Sequence, residues 1–206
     1  QVTMDVPYGV FSYCGKRIKD VVNIPVIQSN RMNVETAERS IDEGVVDFVS
    51  MARPLVADPC LMSKAAEGRY SEIRPCVGCN QGCLDRIMRH MPITCLVNAE
   101  VGREFENLND GRLPTECVSE SPEKILVVGS GPSGLTCAYY LTQLGHQVDV
   151  YEAEQVPGGV LYWGIPEYRL PNSVLLKEIH AIEKAGVKIH LGVTVGRDLS
   201  LDELRE

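Results

Sequence analysis

Two successive runs of strand and helix, separated by a cysteine cluster and a polar stretch, predict an α/β chain built on parallel strands. Three observations carry this expectation. Short apolar runs alternate with helical periodicity from Ile24 to Gly68, the same alternation returns from Lys124 to Gly192, and a G-x-G-x-x-G motif heads the second run. The chain has 206 residues, 44% of them hydrophobic, which is enough for one or two packed domains. A net charge of -8 leaves no basic face for neutralising phosphates, which argues against nucleic acid as a partner. No apolar run approaches a membrane span and nothing resembles a signal peptide, so a cytoplasmic protein without a membrane partner is expected. The absence of an initiating Met and the closing "LSLDELRE" read as a piece of a longer protein.

The elements follow in order. "GVFSYCGKRIKDVV" has the spacing of a packed helix. "IPVIQS" reads as a buried strand, and Asn33 then caps "VETAERSIDE", where Val34, Ala37 and Ile41 share a face and Gly44 ends the helix. "VVDFVSMA" is a second buried strand. Asp58 and Pro59 form a cap and first-turn pair for "PCLMSKAAE", which Gly68 closes. Residues 107–123, rich in Pro, Gly and Ser, read as a linker. Beyond it, "KILVVG" is a strand and "PSGLTCAYYLTQLG" a helix ending at Gly145. "HQVDVYEA" is the next strand, "PNSVLLKEIHAIEKAG" a helix capped by Asn172 or Ser173, and "VKIHLG" a further strand.

Gly129, Gly131 and Gly134 follow a strand and open a helix, the context a dinucleotide motif requires. The first glycine permits the tight turn, the second lets backbone approach a pyrophosphate, and the third lets helix pack on strand. Pro132 and Ser133 lie between them, at the helix N-terminus whose free N–H groups suit an anion. Glu152 ends the next strand, where a carboxylate can accept from a ribose, and Gly158-Gly159 follows after five residues. That spacing resembles the flavoprotein pattern and favours FAD over NAD at this site. The bland alternative is a glycine-rich turn without a ligand. The next loop, "GVLYWGIPEYRLPN", resembles one in the small, electron-transferring subunit of glutamate synthase, and Trp163, Glu167 and Arg169 receive no role.

Cys76, Cys79, Cys83 and Cys95 make a C-x2-C-x3-C-x11-C array, while Cys14, Cys60, Cys117 and Cys137 are scattered and read as small buried hydrophobes. In a reducing compartment such crowding favours metal or redox use over structural disulfides. A structural zinc site draws its ligands as two C-x2-C pairs, and the second pair is missing. Three thiolates in one loop with a fourth further on suit a cubane, so spacing favours an iron-sulfur cluster, with zinc as the alternative. His90 would be a zinc ligand only if the cluster reading failed; His146, His180 and His190 read as surface or packing residues.

The segment from Asn30 to Ile87, with "TCLVNAEVGRE" after it, resembles the barrel end and cluster loop of the iron-sulfur branch of the Old Yellow Enzyme family, the 2,4-dienoyl-CoA reductase, trimethylamine dehydrogenase and NADH:flavin oxidoreductase type. The resemblance implies the C-terminal part of an FMN-binding (β/α)8 barrel over residues 1–75 and a 4Fe-4S segment over 76–106. After the linker, 124–206 would be the first half of a doubly wound FAD-binding domain. It implies Cys76, Cys79, Cys83 and Cys95 as cluster ligands. Arg31, Ala52 and Arg53 match positions at the FMN phosphate end, and Gln81 matches a position that touches FMN. Barrel phosphate sites lie after the seventh and eighth strands, which agrees with Arg31 and Arg53. The implied activity passes electrons from NAD(P)H through FAD and the cluster to FMN, and then to an activated C=C bond of a small molecule. The proton donor would lie on barrel strands outside the chain, so no catalytic acid is named. The alternatives are an electron-transfer flavoprotein subunit, an amine dehydrogenase running the relay in reverse, and a zinc-binding interaction module.

Overall fold

Asn33 begins the first well-defined unit of structure by turning its side chain onto the helix that follows. In the computed structural model, which describes residues 2–102, 118–200 and 202–203, Asn33 Oδ1 accepts from the Thr36 N–H while Thr36 Oγ1 accepts from the Asn33 N–H. This capping box satisfies two donors that the first helical turn would otherwise leave orphaned. The helix it starts, α2 (Val34–Asp42), buries Val34, Thr36, Ala37 and Ser40 and joins two parallel strands, β1 (Ile27–Gln28) and β2 (Phe48–Val49). The result is a mixed α/β arrangement, in line with the parallel pairing expected from the sequence.

The chain divides into two compact units, residues 1–103 and 104–206. In the first, α1 (Ser12–Lys19) packs on the β1-β2 pair through Gly15, where an added Cβ would lie 2.7 Å from the Val46 side chain. Both strands are shorter than the apolar runs suggested, for a local reason. Asp47 Oδ2 takes the Val26 N–H, so the ladder begins late, and after Ser50 donates to the Gln28 carbonyl the chain bends into α3 (Ala52–Ala57). The sequence pattern does not anticipate that helix, whose first residue, Ala52, falls at the end of the expected strand and whose remaining residues carry no expected element. The helix expected at Pro59 begins instead at Leu61, as α4 (Leu61–Ala66). Asp58 Oδ1 accepts from the Cys60 N–H and so holds a turn ahead of the helix. A short helix, α5 (Leu84–Met88), follows the third clustered cysteine.

In the second unit β3 (Lys124–Val128), β4 (Gln147–Glu152) and β5 (Lys188–Leu191) form a fully parallel sheet with β4 in the centre. The crossovers contain α6 (Pro132–Gln143), then α7 (Val160–Trp163) and α8 (Asn172–Lys184). Strict alternation along β4 sends Val148 and Val150 into a core with Ala138 and Val187, while Leu135 packs with Leu175 and Ile179. Neither Asn172 nor Ser173 caps α8: Pro171 occupies the cap position, and the buried Asn172 Oδ1 has no partner among the described residues. Of the linker expected over 107–123, residues 107–117 lie outside the described residues, as does Cys117. No helix of the described residues is long and apolar enough to cross a membrane.

Replacing Asn33 with Ala should remove one half of the capping box and lower stability by about 1 kcal/mol, read as a lower urea midpoint with an unchanged slope.

Candidate functional site

The first site forms where four loop thiols meet one cavity. Cys76, Cys79, Cys83 and Cys95 all line it, together with the Arg53 side chain. The walls are set by contacts the cysteines do not make themselves. Gly82 lies so close to the second limb that a Cβ there would stand 2.5 Å from the Thr94 carbonyl oxygen, and the Thr94 N–H donates to the Gly82 carbonyl at 2.7 Å. This backbone contact brings Cys95 to the loop that carries the other three. Buried Asp58 fixes the approach to Cys76, since its Oδ2 accepts from the Arg74 N–H and from Lys64 Nζ. Buried Asn98 fixes the exit, donating to the Val56 carbonyl at 3.1 Å.

Burial at two of the sulfurs disfavours a free thiolate. Burial pushes the Cys76 thiol up, against the Gly78 N–H and the Arg53 charge, which both favour its ionised form. Burial also pushes Cys95 up, against donation from the Val97 and Asn98 N–H groups. Backbone donors aimed at sulfur are what a metal-bound thiolate uses. Four thiols around one cavity are a donor set that fits a four-iron cubane, which takes each thiolate at a separate corner.

Both arginines assigned to a phosphate end are held by neighbouring backbone. Arg31, itself left-handed at φ 51°, donates from Nε to the Val6 carbonyl and from Nη2 to that of Met4, and stacks 4.2 Å from the Tyr8 ring centre. Tyr8 in turn donates to the Cys76 carbonyl at 2.8 Å. Arg53 Nη1 donates to the Val2 carbonyl at 3.1 Å and to Asn80 Oδ1 at 2.5 Å. Ala52, exposed, opens α3. Gln81 is exposed and lines an open groove with Cys79, Asn80, Leu84, Asp85 and Met88. Sequence reasoning missed Tyr8, Asp58, Asn80 and Asn98. Only Asn80, left-handed at φ 61° inside the cysteine loop, had a usable signal in its residue type.

The second site, in the other unit, gathers the glycine motif, Glu152 and the glycine pair. Gly129 is left-handed (φ 94°), and a Cβ on Gly134 would collide with the Gly129 carbonyl oxygen, so helix and turn can meet only through glycine. Gly129 and Gly131 face open space, whereas Gly159 (φ 53°) packs on Gly131, where its Cβ would lie 2.9 Å from the Gly131 Cα. Pro132 is the first residue of α6, Ser133 is exposed beside it, and no side chain caps that helix, which leaves its N–H groups available to an anion. Glu152 Oε2 accepts from both the N–H (2.8 Å) and Oγ (2.6 Å) of fully buried Ser130, and Oε1 accepts from the Glu154 N–H. The Gly158 N–H donates to the Ser130 carbonyl at 3.0 Å and closes the ring. The carboxylate expected to meet a ribose is thus also the brace of the phosphate turn.

Residues 127–184 match the NAD(P)-binding Rossmann-like domain family. The chain is 48% identical over 162 residues to a metal reductase of Desulforamulus reducens, covering 78% of this chain and 23% of that protein. It is 38% identical over 189 residues to an NADH oxidase of Thermoanaerobacter brockii, covering 88% and 28% respectively. Among solved structures, a 2-naphthoyl-CoA reductase complex superposes with a TM-score of 0.82 at 29% identity, over 99% of this chain and 30% of the other. The chain thus spans about a quarter of the length of the curated relatives it matches.

Glu152 provides a test of the second site's electrostatics. Burial pushes its carboxyl up, but donation from the Glu154 N–H, the Ser130 hydroxyl and N–H, and the Ala153 N–H outweighs it, and the group ends below the ordinary carboxylate range. A lowered folded value stabilises the fold above the unfolded-state value and is lost as pH falls through the folded one. Glu152→Gln should therefore reduce stability near neutral pH and flatten the acid limb of a plot of urea midpoint against pH.

Proposed function

We propose that this chain, which belongs with the iron-sulfur flavoenzymes of the NADH:flavin oxidoreductase and trimethylamine dehydrogenase type, carries the cluster loop and the first flavin-binding turn of an NAD(P)H-dependent oxidoreductase. One observation carries the reading. A cavity lined by four thiols lies in the same chain as a glycine turn open to a dinucleotide. In this reading residues 1–75 are the C-terminal part of an FMN-binding barrel, 76–106 the 4Fe-4S segment, 107–123 a linker, and 124–206 the beginning of an FAD-binding domain. The likeness to a 2-naphthoyl-CoA reductase structure and to a cinnamate reductase in sequence supports an electron-poor C=C bond in a small molecule as the acceptor.

When bound, FAD and FMN would interchange electron pairs and single electrons, with the cluster carrying electrons one at a time between them. The residues described here supply the holding. Cys76, Cys79, Cys83 and Cys95 ligate, and the Gly78, Val97 and Asn98 N–H groups support the charge on sulfur. The free N–H groups at the start of α6 meet a pyrophosphate, Gly131 and Gly159 give it backbone room, and Glu152 accepts from a ribose with whatever lone pairs Ser130 and Glu154 leave. Arg31 and Arg53, with the backbone at Ala52, stand at the FMN phosphate end, and Gln81 meets that flavin. Thiols that must remain reduced fit a cytoplasmic protein.

The test is a pair of substitutions read separately for iron and flavin on protein purified without oxygen. Cys83→Ser should abolish iron and acid-labile sulfide while keeping FAD. Gly134→Ala should lose FAD while keeping iron. Zinc in place of iron in the parent protein would overturn the reading.

Gly82→Ala offers a finer check of the same site. Pushing the Thr94 limb away should lower bound iron at least severalfold even though all four cysteines remain, because 2.5 Å leaves no room for a methyl group.

A further inference from the structure

Among the described residues Arg53 is the one cationic residue lining the four-thiol cavity, and its side chain is tethered by groups that carry no charge. Its Nη1 donates to Asn80 Oδ1, inside the cysteine loop, and to the Val2 carbonyl; Asn80 Nδ2 also reaches the Val2 carbonyl at 3.4 Å. Neither partner is a carboxylate, so among the described residues neither cancels the guanidinium charge, which Arg53 would divide between the cluster and the FMN phosphate end. The side chain is half-buried, where charges are screened less than on an open surface. The tether is deliberate in conformational terms. Asn80 occupies a left-handed backbone that a non-glycine residue adopts at a penalty, and its amide oxygen is the group that receives Arg53.

Resting on the cluster reading above, we propose that Arg53 sets the reduction potential of the cluster, holding a fixed positive charge against it by way of Asn80. The step it would bear on is the gain of one electron by the cluster, lost by a reduced flavin, with no covalent bond made or broken at iron. That electron adds one negative charge to an already anionic cluster, and a nearby guanidinium stabilises the more negative state. Arg53 therefore raises the potential, easing reduction, and does so without ligating iron. A purely mechanical role, in which Arg53 only pins the N-terminal strand of chain to the loop, would leave the potential unchanged once the cluster is in place.

The experiment is a potentiometric titration of the whole protein, followed by the electron paramagnetic resonance signal of the reduced cluster, with iron and FMN content measured on each sample and midpoints compared only between samples that hold both. Arg53→Gln keeps a donor for Asn80 but removes the charge; it should move the midpoint to more negative values at full iron content. Arg53→Lys should return the midpoint toward that of the parent. Asn80→Gly relieves the left-handed backbone and frees the guanidinium while keeping its charge, and should produce a smaller shift of the same sign. This second variant decides the matter if Arg53→Gln loses iron. An unchanged midpoint in iron-replete Arg53→Gln, or in Asn80→Gly where Arg53→Gln cannot be loaded, overturns the proposal. A parent protein with no cluster signal would instead overturn the reading on which it rests.

Discussion

A carboxylate buried away from water persists only if its lone pairs are filled by donors, and each unit of this protein is arranged around one such group. In the first it is Asp58, 3% exposed, which accepts from the Cys60 and Arg74 N–H groups and from Lys64. In the second it is Glu152, 8% exposed, which accepts from Ser130 twice and from Glu154. Both collect backbone N–H groups from segments that would otherwise end in loops. The demand for donors is therefore what draws the loops together. At Asp58 it brings the entry to Cys76 against α4; at Glu152 it brings the glycine turn against the end of β4. In each case the cofactor-facing loop takes its shape from a charge behind it.

The glycines act in the opposite sense, by allowing approach rather than compelling it. Gly82 admits the Thr94 limb, Gly134 admits the turn at Gly129, and Gly159 admits Gly131. Removing hydrogen-bond donors would loosen these loops, whereas adding a methyl group would hold them apart. The two devices are complementary. A close backbone contact without a carboxylate behind it would have nothing to maintain it, and a carboxylate without the close contact could not gather its donors.

Much of this was legible in the residues. The helix after Asn33, the parallel order of β3, β4 and β5, and the turn at Gly129 follow from capping, period and glycine spacing, all of which are local. Local signals failed where a distant group decides. Helix α4 starts two residues later than the Asp-Pro pair suggests because Asp58 is committed to Cys60 and Arg74, sixteen positions away. Strand β1 is trimmed by the Asp47 side chain, twenty-one positions on. In the site, cysteine spacing pointed to the ligands, but not to Tyr8, which reaches the Cys76 carbonyl across 68 residues, nor to Asn98 and its bond to Val56. Partners at such separations leave no periodic trace.

Those separations also set an order of assembly. The thiols are neighbours in the chain, yet the cavity they line is braced by contacts that close loops of 42 residues, from Val56 to Asn98, and of 68, from Tyr8 to Cys76. Closing such loops costs entropy that grows with their length. During synthesis the first three cysteines therefore emerge well before Asn98, and the cavity gains its back wall only when the last of the four and its brace, three residues apart, arrive together.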